Sequence, residues 1–467
     1  LLLLLLISWT AAAGGMFVLQ FLLVALATTD RATETFNTLQ SVFWSNNMWR
    51  SSMWWQAANT VEAIANHALQ TPSVKPRVEL ILGAVFAATA NSTIARCDAG
   101  VDLTFSGYFD DELWWGHAWL RAHKLTAEPR YLNRACAIFD DIVNRSWSDA
   151  SCGGGCCWQA PHDADHMSGC YKNAITNELF LSLGAQLSNL YQQRCDAGTK
   201  AACDAAKRYH SWSLKELQWF LNSGMINASN LINDGLDTFG SHPKICADNG
   251  HTAYSYNQGV LLSGLGELYA SKLPPPPRGR AEIPAYSASS SSSAAAVEDD
   301  DRNALLKLAC AIIEAVWRSS LVWDNSDGVL REMSEVPLVD GTIENLYTGG
   351  GGTDGLQFKS VLLRHQRYLI DSVLRAHNGS EVEAQRAIAG AGGNLTLWRE
   401  RTRANADAIW QHAACVPPSK TLTPGDRLIV VPALFGWRWL GPCTSAFGGA
   451  SATTQTAALD VFSAAAF

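Results

Sequence analysis

Apolar residues along this chain recur at spacings of three and four over long stretches and almost nowhere alternate one by one, so the pattern predicts helices and hardly any strand. Twelve such stretches fall near residues 31–45, 54–71, 76–93, 110–125, 129–146, 173–194, 204–223, 254–272, 302–320, 354–377, 395–413 and 452–465. The expected fold is all-α. The helices differ in how they begin. The even-numbered ones open on polar and aromatic clusters: Trp54-Trp55-Gln56-Ala57-Ala58-Asn59, Asp110-Asp111-Glu112, Lys172-Asn173-Ala174-Ile175-Thr176-Asn177-Glu178, Tyr256-Asn257-Gln258-Gly259, Asp354-Gly355-Leu356-Gln357-Phe358-Lys359 and Thr454-Gln455-Thr456. The odd-numbered ones, such as the stretch from Tyr131 to Phe139, read as plain amphipathic packing helices. This alternation predicts six hairpins closed into a ring. Six inner helices then present their N-termini, with their positive ends and amide side chains, to one shared cleft.

Pro274 to Asp301 interrupts the pattern with four consecutive prolines, a serine run from Ser289 to Ser293 and three consecutive aspartates. That composition predicts a disordered insertion at 274–301, not a domain boundary, because the helix count needs both sides. Gly349 to Gly352 reads as a flexible turn without the Gly-Lys-Ser/Thr ending of a phosphate loop. At the start, Met16, the apolar run Phe17 to Val24 and Ala25-Leu26-Ala27 have the form of a signal peptide with a small-residue cleavage site, so residues 1–27 are expected to be a leader. Met16 is its expected start, the residues before it being an artefact of gene prediction, and a membrane anchor built from both apolar segments is the alternative. Residues 28–467 are expected to form one catalytic domain.

Composition narrows the function classes. With 35 basic and 43 acidic residues the net charge is -8, which gives no electrostatic case for nucleic acid or an anionic membrane. The 18 tryptophans, 11 tyrosines and 16 phenylalanines supply a large core and an aromatic site. The 12 cysteines of an exported chain predict disulfides before metal sites, with Cys195 and Cys203, which bracket a short loop, as the first expected pair. Asn91, Asn144, Asn227, Asn378 and Asn394 each open an Asn-X-Ser/Thr sequon. A secreted or cell-wall-associated glycoprotein, monomeric and free of cofactor and metal, is expected.

Asp110 and Asp111 carry the candidate chemistry. On the first turn of a helix, acids complement the positive end or cap it. Adjacent carboxyl groups can also reach the roughly 5 Å separation of a retaining glycosidase pair, and each raises the proton affinity of the other, so that one stays protonated while the other remains a nucleophile. Trp114 and Trp115 fit that use, since indole faces stack on sugar rings and desolvate an acid. Other features are read as structural. Asp140-Asp141 lies within a helix and is expected on a solvated face; Cys152 to Cys157 and His162 to His166 are expected in disulfides and an exposed loop, not as zinc ligands; Asp234-Gly235-Leu236-Asp237 is expected to be a turn. Neither a Gly-X-Ser-X-Gly elbow nor a His-Glu-X-X-His pattern is present.

In combination, Asp110-Asp111-Glu112-Leu113-Trp114-Trp115, Cys152-Gly153-Gly154-Gly155, Tyr171-Lys172-Asn173-Ala174 with Asn177-Glu178, Asn233-Asp234-Gly235-Leu236, Tyr256-Asn257-Gln258-Gly259 and Gln357-Phe358-Lys359 resemble glycoside hydrolase family 76 over roughly residues 31–465. The resemblance implies an (α/α)6 barrel of twelve helices and a retaining endo-α-1,6-mannanase acting on mannan, or a related cell-wall transglycosylase. By motif, it makes Asp110 the nucleophile and Asp111 the general acid/base. From the openings of the inner helices, Trp55, Asn59, Trp114, Trp115, Asn173, Asn177, Tyr256, Asn257, Gln258, Asp354 and Lys359 are the expected substrate-binding residues. The chain departs from the family at Cys156-Cys157-Trp158, where an aliphatic residue and aromatics are usual. Its Tyr-Phe-Asp-Asp-Glu-Leu-Trp-Trp is closer to the hydrolases than to the transglycosylases, whose equivalent is Asn-Asp-Asp-Gln. Hydrolysis is therefore the first expectation, with transfer or non-catalytic mannan binding as alternatives; an unsaturated-uronide hydratase on the same barrel would need more basic residues than Lys172 and Lys359.

Overall fold

A computed structural model describes residues 31–90, 108–160, 170–237, 246–250, 253–274, 294–319, 327–332 and 354–415, with 433–436, 438–441, 443 and 450–466 near the C-terminal end. Residues 1–30, the glycine turn at 349–352, His162 to His166 and Asn91 lie outside the described residues. Thirteen helices are present among them. They are α1 (31–38, continued by a π-helical turn Leu39–Phe43), α2 (Trp54–Gln70), α3 (Lys75–Ala90), α4 (Phe109–Thr126), α5 (Pro129–Arg145), α6 (Ala174–Asp196), α7 (Lys200–Asn222), α8 (Ser255–Tyr269), α9 (Ala294–Val316), α10 (Phe358–Ala376), α11 (Glu381–Gly390), α12 (Leu395–His412) and α13 (Ala452–Ala465).

The expected alternation is the architecture. α2, α4, α6, α8, α10 and α13 each pack against the next, and α13 closes back onto α2, giving the inner ring of an (α/α)6 barrel. α1, α3, α5, α7, α9 and α12 pack outside it. Burial follows: Trp55 to Ala68 of α2, Ala174 to Ser188 of α6 and all of α13 are buried, whereas α5 buries only one face through Tyr131, Leu132, Ala135, Ile138, Phe139 and Ile142. A helix surrounded by other helices must be apolar or internally satisfied all round, while an outer helix needs one apolar stripe.

Two expectations need correction. α9 begins at Ala294, so the last eight residues of the segment expected to be a disordered insertion at 274–301 are helical; 275–293 lie outside the described residues. α11 was not anticipated, although Ser380, whose side chain accepts the Glu383 N–H (3.4 Å), stands three residues before a glutamate in a start signal that the sequence displays.

The barrel axis holds a buried polar cluster. Arg364 pairs with Asp460 (2.7 Å) and Glu62 (3.5 Å) and donates to Asn59; Tyr368 donates its hydroxyl hydrogen to Glu62 (2.8 Å) and accepts from Asn66 (2.6 Å). Charges taken out of water need such mutual satisfaction. Four disulfides, Cys152–Cys246, Cys157–Cys170, Cys195–Cys203 and Cys415–Cys443, tie loops to the barrel, and the third is the pair expected from spacing.

Candidate active site

The N-termini of five of the six inner helices surround a cavity of about 500 Å³; α13, whose Thr454-Gln455-Thr456 opening was expected to face the same cleft, contributes no lining residue. Met53, Trp54 and Trp55 reach it from α2, Asp110, Asp111 and Trp114 from α4, and Asn173, Tyr256 and Phe358 from the starts of α6, α8 and α10. Loop residues Tyr108, Trp158, Tyr171 and Asp234 complete the wall. Trp55 packs against Trp114 with ring centres 5.9 Å apart, and Tyr256 lies flat on Phe358 at 3.8 Å.

Tyr108, not Asp110, is the N-cap of α4, which places Asp110 and Asp111 at its second and third positions, both half-buried in the cavity wall. Three backbone segments lie side by side over this end. The Phe109 N–H donates to the Trp158 carbonyl (2.7 Å), and the Trp158 N–H donates to the Tyr171 carbonyl (2.8 Å). The arrangement aims the Trp158 indole N–H at Asp110 Oδ2 (2.9 Å), while the Asp111 backbone N–H reaches Asp110 Oδ1 (3.0 Å). Burial first and the neighbouring Asp111 carboxylate second push the Asp110 carboxyl well above the usual range, and the two hydrogen bonds pull the other way. Glu112, the third acid, faces away; it is buried and paired with Arg145 (3.0 Å). Arg145 also pairs with Asp141, so that acid belongs to a bridge between α4 and α5, not to a solvated face; Asp140 pairs with the outer Arg208 (2.5 Å).

The Cys-Gly-Gly-Gly loop is shaped by close packing. A Cβ on Gly155, where φ is +81°, would sit 2.5 Å from the Trp219 ring. The buried Lys172 donates to the carbonyls of Ser148 (3.0 Å) and Gly155 (2.5 Å), and burial pulls its ammonium down to about 8. Asp234 accepts the Tyr171 hydroxyl hydrogen (2.5 Å), and Asn249 donates to the same phenol oxygen (2.9 Å). Burial and then the Asp234 charge raise the Tyr171 phenol. Gly235 permits this, since a Cβ there would stand 2.7 Å from both the Lys172 carbonyl and the Tyr171 hydroxyl.

Of the expected site residues, Asp110, Asp111, Trp55, Trp114, Asn173 and Tyr256 meet in the cavity. Others do not. Asn59 lies one turn below Trp55 and accepts from Arg364 in the axial cluster. Trp115 is buried between Trp54 and Trp119. Asn177 accepts from the Cys156 N–H (2.6 Å) and donates to the Cys156 carbonyl (3.1 Å); Gln258 does the same at Ile232 (2.8 and 2.7 Å). Asn257 is fully buried outside the cavity wall, and Lys359 holds its ammonium 4.5 Å from the Trp439 ring. Asp354 opens the 3-10 turn Asp354–Gln357, and its side chain lies outside the described residues. Asp234, expected in a plain turn, is a cavity residue, as are Trp158 and Tyr171. The zinc alternative loses Cys152 and Cys157, both of which are in disulfides.

Fold and cleft define an (α/α)6-barrel protein with a paired-aspartate, aromatic-walled site at the open end of its inner ring. The profile of Glycosyl hydrolase family 76 matches residues 26–272, more than half of the sequence, and the chain belongs to that family. It is 27% identical over 173 residues to the mannan endo-1,6-alpha-mannosidase DCW1 of Saccharomyces cerevisiae, a match spanning 34% of this chain and only 33% of that protein. Its fold is similar to that of the GH76A alpha-1,6-mannanase of Salegentibacter sp. HEL1_6 (TM-score 0.62, 17% identity, 94% of this chain and 99% of the other). An inactive variant of that enzyme, with two adjacent aspartates changed to asparagine, has been solved in complex with alpha-1,6-mannotriose (TM-score 0.60, 16% identity, 94% and 99%). Dfg5 of Chaetomium thermophilum in complex with glucosamine is also similar (TM-score 0.60, 16% identity, 95% and 90%). Among the described residues no helix is long and apolar enough to cross a membrane.

Proposed function

We propose that this protein is a retaining endo-α-1,6-mannanase that cleaves mannan backbones through a covalent mannosyl-enzyme ester. The observation that carries this reading is the meeting of Asp110 and Asp111 in an aromatic-walled cavity of ligand size. A carboxylate oxygen of Asp110 attacks the anomeric carbon as the bond to the leaving oxygen breaks, and Asp111 gives that oxygen its proton. Asp111 then takes a proton from water as the water attacks the same carbon and frees Asp110. The assignment of roles follows the family motif, and two N–H donors on Asp110 favour its anion against the burial and the Asp111 charge that press it toward protonation. The positive end of α4 supports the negative charge. Trp55, Trp114 and Tyr256 exclude water and stack on sugar faces, while Asn173, Tyr171 and Asp234 are placed to bond hydroxyls. The four disulfides support action outside the cytosol, at the cell wall or in the medium.

Two separate aromatic pairs in the cavity wall, Trp55 with Trp114 and Tyr108 with Trp158, favour one second reading. A sugar acceptor held there would receive the mannosyl group in place of water. Incubation of the purified protein with linear α-1,6-mannan, with and without an added mannoside acceptor, separates the two by product analysis. Shortened reducing oligomannosides are expected. Transfer products dominating at low acceptor concentration would favour the second reading, and unchanged mannan in both arms would refute each.

A further inference from the structure

We propose that Trp158 is a positioning residue whose indole N–H orients Asp110 and favours its ionised form, an inference that rests on the retaining-glycosidase reading above. Three observations carry it. The indole nitrogen stands 2.9 Å from Asp110 Oδ2, so each Asp110 oxygen accepts one hydrogen bond, the other coming from the Asp111 backbone. The ring cannot swing away: Tyr108 packs on it at 4.6 Å, Tyr171 meets it edge-on at 5.9 Å, its own carbonyl and N–H are bonded to Phe109 and Tyr171, and the preceding Cys157 is in a disulfide with Cys170. The donor carries no charge and cannot titrate, so it biases the pair in one direction at every pH.

The remaining groups around the pair would not do this. Asp111 is a like charge, Tyr171 gives its proton to Asp234, and Glu112 is turned away onto Arg145. Among the described residues, no cation stands in the cavity wall to hold an anion on Asp110. A hydrogen bond to a charged oxygen is worth more than one to a neutral acid, so the indole acts on the difference between the two protonation states and not merely on where the side chain points. Burial and the Asp111 charge both press Asp110 toward protonation, and the indole opposes them.

Two substitutions separate the N–H from the ring. Trp158→Phe keeps an aromatic between Tyr108 and Tyr171, and β-(3-benzothienyl)alanine at position 158 keeps nearly the whole indole shape with sulfur in place of N–H. In both, the acid limb of the kcat/KM profile on α-1,6-mannan should move up by about one pH unit and kcat should fall by about tenfold, with KM little changed. An independent readout needs no substrate. In protein labelled with 15N-tryptophan, the indole resonance that Trp158→Phe removes should shift with pH as the pair titrates, and Asp110→Asn should abolish that shift. An unmoved acid limb in both variants, or a Trp158 resonance that ignores pH, overturns the assignment. Inactivity of the wild type on mannan with a titrating resonance would instead refute the mannanase reading and leave the pairing of indole and carboxylate standing.

Discussion

Gln258 was expected to bind sugar; the structure gives it a different task, and one substitution series tells the two apart. Its amide accepts the Ile232 N–H (2.8 Å) and donates to the Ile232 carbonyl (2.7 Å) and the Tyr254 carbonyl (3.0 Å). Ile232 is fully buried, so Gln258→Ala leaves two peptide groups without partners or water. Each such orphan costs about 1–3 kcal/mol, which puts the loss of stability at about 3 kcal/mol or somewhat more. Gln258→Met, close in volume but unable to hydrogen-bond, should lose nearly as much, because the cost lies in the orphaned groups and not in an empty space. Urea unfolding with the disulfides intact, followed by tryptophan fluorescence, reads both variants against wild type. A loss under about 1 kcal/mol in Gln258→Ala, or recovery in Gln258→Met, would refute the argument.

Further outcomes follow from the same geometry. Asp110→Asn should abolish turnover of α-1,6-mannan, whereas Asp111→Asn should lose far less on an aryl mannoside with a good leaving group than on mannan; parallel modest losses tracking a lower Tm would assign the pair to helix capping. Burial pushes the Glu62 carboxyl up, but Arg364, His117, His365 and Arg121 more than offset it and hold it at about 2. Its folded value lies below its unfolded one, so its stabilisation is present above about pH 4.5 and is lost as pH falls toward 2; Glu62→Gln should flatten that acid limb of stability measured by urea unfolding. Removing Cys157–Cys170, whose partners are 13 residues apart, should cost roughly 3 kcal/mol together with activity, while removing Cys195–Cys203, 8 apart and on the outer α6–α7 turn, should cost stability but spare kcat.

The helix pattern was legible because inner and outer helices obey different burial rules that print directly onto sequence. The acid pair was legible for a similar reason: two adjacent acids at the second and third positions of a helix both face its open end. Deeper positions misled. Successive residues on a helix turn by about 100°, so Trp114 and Trp115 cannot both face the cleft, and the sequence does not say which one does. Asn59, four residues after Trp55, sits about 6 Å further down the axis, among charges and not sugars. Trp158, Tyr171 and Asp234 lie in loops whose paths depend on contacts far away in the chain, such as the Asn173–Gly235 bridge and the Cys152–Cys246 disulfide, and local periodicity has no access to those. Of the three, only Asp234 left a local trace, being followed by Gly235, whose missing Cβ allows the close approach to Tyr171.

The amides at the fourth residue of α6, α8 and α13 repeat one device. Asn177 grips Cys156, Gln258 grips Ile232, and Gln455 accepts from the Phe435 N–H (3.3 Å) and donates to the Ala433 carbonyl (3.0 Å). What each amide recognises is main chain, which every residue type presents alike. The amide therefore does not dictate the side chain of the seized residue, which packing alone constrains, since Cys156, Ile232 and Phe435 are all buried. A barrel built this way can trade one rim segment for another of different size and chemistry, as a tool-holder accepts different bits, while the height at which the new segment sits above Asp110 and Asp111 stays set by the helices. Grafting rims between members of this family, cut so that a main-chain N–H and carbonyl still meet each amide, is thus a route to a reshaped cleft that leaves the helical ring untouched.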